Sequence, residues 1–159
     1  MKKVMTFGLA ASLLLSLSPA AFAQGSLPAN QAVDSLSANE TVKTDAGYMR
    51  IVESQGDVYF PMDVQLINPV RHTGSSSYER SFTMDPANGE DANVNVKNSG
   101  TSTVYLEVTD SSGSTIEASI AAGKQKTVSI YTTKRNSYKV YVYTTDGSRM
   151  DINVSARQY

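Results

Sequence analysis

Between Asn93 and Arg157, apolar residues recur at every second position in six short runs. These are Val94 and Val96; Val104, Leu106 and Val108; Ile116, Ala118 and Ile120; Val128 and Ile130; Val140 and Val142; and Ile152, Val154 and Ala156. Side chains on a strand alternate between two faces, so this period describes strands with one face in a core. A helix would need apolar spacings of three and four, which no long stretch here supplies. The breaks are turn-forming: Asn98-Ser99-Gly100, Asp110 to Gly113, Ala121 to Lys124 and Asp146-Gly147-Ser148. Each supplies a Gly for backbone that other residues resist.

The pattern continues, more loosely, toward the N-terminus. Tyr48–Val52 and Val58–Phe60 flank Gln55-Gly56-Asp57 as a hairpin, and Met62, Val64 and Leu66 alternate with polar neighbours. Pro61 marks an edge or entry point. Asn68-Pro69 is expected to end that strand, with Arg71–Ser77 as a polar loop. Tyr78–Met84 reads as another strand, followed by a loop from Asp85 to Asp91. The expected fold is all-β: eight or nine strands in a small two-sheet antiparallel β-sandwich of immunoglobulin-like or jelly-roll type.

Composition adds a compartment. Lys2 and Lys3 precede an apolar run from Val4 to Leu17, then Ala21-Phe22-Ala23. That is the grammar of a signal peptide over residues 1–23, with cleavage expected between Ala23 and Gln24. The apolar run is short for a permanent span. The expected product is secreted or periplasmic, with no membrane span after cleavage. Residues 24–46 read as a flexible polar segment and 47–159 as the single β-sandwich domain. The chain has no cysteine, so its stability must come from apolar burial and sheet hydrogen bonds. An outer-membrane barrel is disfavoured, because Tyr159 is out of phase with Ile152, Val154 and Ala156 on the last strand.

The formal net charge of −1 becomes slightly more acidic without Lys2 and Lys3. Such a balance argues against a nucleic-acid partner. Lys124, Lys126, Lys134, Arg135 and Lys139 read as a solvated rim.

Candidate chemistry is sparse. His72, with Ser75, Ser76 and Ser77 nearby, is the one base available for nucleophilic hydrolysis, and no Gly-x-Ser-x-Gly elbow accompanies it. Glu107 and Glu117 lie on polar strand faces, where carboxylates meet water. Asp85, Asn88, Glu90 and Asp91 offer oxygen donors for calcium within one loop, without EF-hand spacing. No other cofactor is suggested.

Tyr105, Tyr131, Tyr141 and Tyr143 share a different property. Each falls on the phase opposite to the apolar residues of its own strand, as does Lys139. Tyrosine offers an apolar plate with a polar tip, suited to sugar rings or protein surfaces. The succession of turns and strands over roughly residues 80–157 resembles accessory sandwich modules of secreted bacterial proteins, a likeness that bears on fold alone. The expectation is a non-catalytic binding module at the cell envelope or outside, its partner a glycan, a wall polymer or a protein. A self-associating structural protein is the alternative, and a hydrolase using His72 a further one.

Overall fold

A computed structural model describes residues 40–52 and 63–159. The signal-like N-terminus, the hairpin turn at Gln55–Asp57, the strand at Val58–Phe60, and Pro61 and Met62 lie outside the described residues. Those described form ten strands: β1 (Thr41–Thr44), β2 (Gly47–Val52), β3 (Val64–Gly74), β4 (Tyr78–Met84), β5 (Asp91–Asn98), β6 (Val104–Asp110), β7 (Thr115–Ile120), β8 (Gln125–Thr132), β9 (Asn136–Tyr143) and β10 (Met150–Gln158). One 3₁₀ turn, Pro86–Asn88, interrupts them. The described residues are nearly all β, in two antiparallel sheets consistent with a β-sandwich. One sheet runs β1-β2-β8-β5-β10-β3 and the other β4-β9-β6-β7.

All six alternating runs of residues 93–157 are strands, and their apolar members meet in one core cluster drawn from both sheets. Met49 and Ile51, Val94 and Val96, Val128 and Ile130, and Ile152 and Val154 come from the six-stranded sheet. Leu106 and Val108, Ile116 and Ile120, and Val140 and Val142 oppose them, all essentially inaccessible. Phe82 and Tyr138 stack at a centroid distance of 5.6 Å within the same cluster. Removing such side chains from water is the main driving term available to a cysteine-free domain of this size.

Three expectations are corrected. Asn68-Pro69 does not end a strand: β3 runs through it to Gly74, so the polar loop shrinks to Ser75–Ser77. Proline is tolerated there because β3 is an edge strand and its register slips at that point. Val154 faces Val70 and Ala156 faces Ile67, leaving one β3 residue in excess; a second excess follows before Arg157 faces Gln65. The Gln65 amide fills in, donating to the carbonyls of Ile67 at 2.5 Å and Ala156 at 2.8 Å. Finally, the polar segment expected to be flexible up to Ala46 carries β1, held against β2 in register from Thr41 opposite Arg50 to Thr44 opposite Gly47.

Candidate functional site

The outer face of the four-stranded sheet follows from strand parity. Tyr138, Val140 and Val142 of β9 point inward, so Ser137, Lys139, Tyr141 and Tyr143 point outward. The same parity turns out Tyr105, Glu107 and Thr109 on β6, Glu117 and Ser119 on β7, and Glu79 and Ser81 on β4. Register then sorts them into rows. Tyr143 faces Tyr105, which faces Ser119 on its other side. Tyr141 lies between Glu79 and Glu107, and Glu107 faces Glu117. Lys139 lies between Ser81 and Thr109.

The three tyrosines form a stacked ladder. Tyr143 is the middle ring, 5.5 Å from Tyr105 and 5.3 Å from Tyr141, with interplanar angles of 27° and 28°. Among the described residues, Tyr105 and Tyr141 have no other ring partner. A shallow depression beside the ladder is lined by Tyr105, Glu107, Glu117, Ser119 and Tyr143. The Tyr143 hydroxyl is pushed up to about 12, first by burial, then by hydrogen bonding to Glu107 and the charges of Glu107 and Glu117. Among the described residues, no Lys or Arg forms an ion pair with Glu79, Glu107 or Glu117. Lys139 is exposed one row away.

Tyr131 does not join this ladder. It is outward on its own strand, as the alternation implied, but β8 belongs to the other sheet. There it stacks on Tyr48 at 5.3 Å and donates its hydroxyl to Glu90 Oε2 at 3.1 Å. That bond to Glu90 is the main reason its phenol is held above the usual value. Parity is legible in a sequence; membership of one sheet or the other is not. Alternation puts Glu107 and Glu117 on polar strand faces but does not single out Glu79, and cross-strand register is what places all three beside the rings.

The outer face of the six-stranded sheet is polar, and several of its side chains pair with one another. Asn95 Nδ2 donates to Thr127 Oγ1 at 3.0 Å, and Asn93 Nδ2 to the Tyr159 hydroxyl at 3.1 Å. Arg71 makes a two-pronged pair with Asp151 at 2.8 and 2.6 Å. These side chains pair with one another, whereas the carboxylates of the opposite face have no ion-pair partner among the described residues.

The loop Asp85–Asp91 closes on protein groups instead of gathering its oxygen donors. The Asp85 carboxylate accepts from the Ala87 N–H at 3.1 Å, capping the 3₁₀ turn that contains Asn88. Glu90 is engaged by Tyr131, and the Asp91 backbone pairs with that of Tyr159. Gly89, at φ +114°, lies so close to the Tyr159 carbonyl that a methyl group would overlap it. Among the described residues, no three His, Cys, Asp or Glu side chains are grouped to hold a metal ion.

His72 is occupied as well. Its Nε2–H donates to the Ser76 carbonyl at 2.9 Å, and its ring leans on Tyr78 at 5.7 Å. The carbonyl can only accept, so this contact is made by the Nε2–H tautomer, which ties that nitrogen to the loop backbone. Among the described residues, no helix is long and apolar enough to cross a membrane.

No family model, no curated protein and no solved structure matches this chain.

Proposed function

We propose that this chain is an exported, non-catalytic binding module whose outer four-stranded face takes a glycan at the cell envelope or outside the cell. The observation that carries this reading is the Tyr141–Tyr143–Tyr105 ladder, half-exposed on a sheet face and bordered by carboxylates. Tyr105 and Tyr141 at its ends offer ring faces for stacking, while the hydroxyls and Glu107 accept hydrogen bonds from sugar hydroxyls. The N-terminal signal grammar supports export. Among the described strands, six of the nine links between consecutive ones cross from one sheet to the other, which favours the jelly-roll form of the sandwich over simple hairpins.

The self-associating alternative relies on open sheet edges. On β3, the longest edge strand among the described residues, Pro69 and two register slips blunt that template, which favours the binding module. The test is retention of the processed protein on insoluble cell-wall polysaccharide, with Tyr105→Ala and Tyr141→Ala as comparators. Retention of the wild type with loss in both variants supports the reading. Unchanged retention in the variants removes the face from it, and concentration-dependent growth in light scattering without glycan binding favours the alternative.

A further inference from the structure

We infer that the glycan bound by the tyrosine face carries free protonated amines, a class exemplified by polymers of unacetylated amino sugars. This rests on the binding reading above and specifies its ligand. Glu79, Tyr141, Glu107 and Glu117 occupy one row across β4, β9, β6 and β7. Adjacent strands are about 4.8 Å apart, so Glu107 and Glu117 are side by side and Glu79 lies two strands away across Tyr141, all in one row of negative charge running across the strands.

That line carries a cost that the Tyr143 hydroxyl eases at Glu107 and that no ion pair offsets among the described residues. Glu107 and Glu117 are directly opposed, an arrangement that disfavours the sheet. Among the described residues no cation pairs with either. Lys139, the one Lys or Arg among the described residues that strand parity turns to this face, lies in the next row between Ser81 and Thr109. The opposite face shows that the same fold does pair its charges, as Arg71 does with Asp151. A ligand with amines along its length supplies the missing counter-charge, and its sugar rings meet Tyr105 and Tyr141. A neutral glycan would use the rings and leave the Glu107–Glu117 repulsion in place. The ring ladder is what selects a glycan over a simple basic peptide, since repeated flat saccharide faces match repeated aromatic ones.

Isothermal titration of the processed protein with glucosamine oligomers, and with N-acetylglucosamine oligomers of the same length, decides the matter at mildly acidic pH. The expected result is that the free-amine oligomer binds about tenfold tighter at low salt. The advantage should shrink as salt rises and vanish in the Glu107→Gln/Glu117→Gln variant, whose fold is checked by circular dichroism. Equal affinity for the two oligomers overturns this inference and leaves the glycan reading standing. Binding of neither oligomer, or of both equally to a Tyr105→Ala/Tyr141→Ala variant, overturns the glycan reading itself. Polylysine binding as tightly as the glucosamine oligomer overturns the glycan half, because charge alone would then suffice.

Discussion

The Gln158 side chain, wholly buried near the C-terminus, donates its amide to the carbonyls of Asp85 at 2.6 Å and Gly89 at 2.7 Å. It also receives the Asp85 N–H at 3.4 Å. A loop that offers oxygen donors in sequence is thus tied down by an amide from the last strand. Gln158→Leu keeps the volume and leaves two carbonyls unpaired, so it should cost about 3 kcal/mol in urea unfolding. Millimolar calcium should leave the wild-type melting temperature where a chelator leaves it. A calcium-dependent rise would show that the loop donors gather on an ion after all.

The β6–β7 turn depends on one carboxylate oxygen. Asp110 Oδ1 accepts from the Ser112 N–H at 2.9 Å, the Ser112 hydroxyl at 2.7 Å and the Ser114 N–H at 2.8 Å. Asp110→Ala should destabilise the fold by about 2 kcal/mol, while Ser111→Ala changes it less. Equal effects of the two, measured by chemical denaturation, would mean the turn does not rely on Asp110.

Such turns show why much of the fold was readable. Asn98-Ser99-Gly100 announces a turn, and in the structure Asn98 builds it, donating to Ser102 and Ile120 carbonyls and accepting from the Gly100 N–H. Local chemistry and parity are properties of adjacent residues, and they placed β4 to β10. Features set by distant partners were not readable. Pro69 sits inside a strand only because β3 is an edge, and β1 exists only because β2 lies beside it. The site divides the same way. Tyr105, Tyr141 and Tyr143 are outward by parity, whereas the separation of Tyr131 and the row linking Glu79 to Glu117 come from cross-strand register.

Tyr143 should be among the last phenols to ionise. With its value about 12 in the fold against 10.0 ordinarily, the folded state holds this proton more tightly than the unfolded chain. Its contribution to stability is therefore complete below about pH 10 and lost as pH rises toward 12. Ultraviolet difference titration should show the late-ionising tyrosine move to lower pH in Glu107→Gln. No movement would separate the Tyr143 hydroxyl from Glu107.

At the acid end, Asp151 has the opposite sign. The hydrogen bonds from Arg71 hold its carboxyl below the usual range. Stability from the pair is present above the unfolded carboxyl value, about 3.9, and is lost as pH falls through the lower folded value. Arg71 is largely in water and Asp151 partly so, so the effect should be small and weakened by salt. Asp151→Asn should flatten the acid limb of the unfolding curve without altering it near neutrality by more than a surface substitution does. An unchanged acid limb would show that the pair contributes nothing measurable.

Glu117 separates stability from binding. It opposes Glu107 with no cation paired to either among the described residues, so Glu117→Lys replaces a repulsive cross-strand pair by an attractive one. The expected gain is roughly 0.2–1 kcal/mol. The same change puts a positive charge in the row that the proposed ligand amines would occupy, so affinity for a glucosamine oligomer should fall while unfolding shifts to higher urea. Sites that hold like charges together commonly do so at the expense of the fold, and one substitution read by both assays exposes the trade. A Glu117→Lys protein that is less stable would mean that the Glu107–Glu117 pair is not a cost. Unaltered oligomer affinity in that variant would place the ligand away from the row.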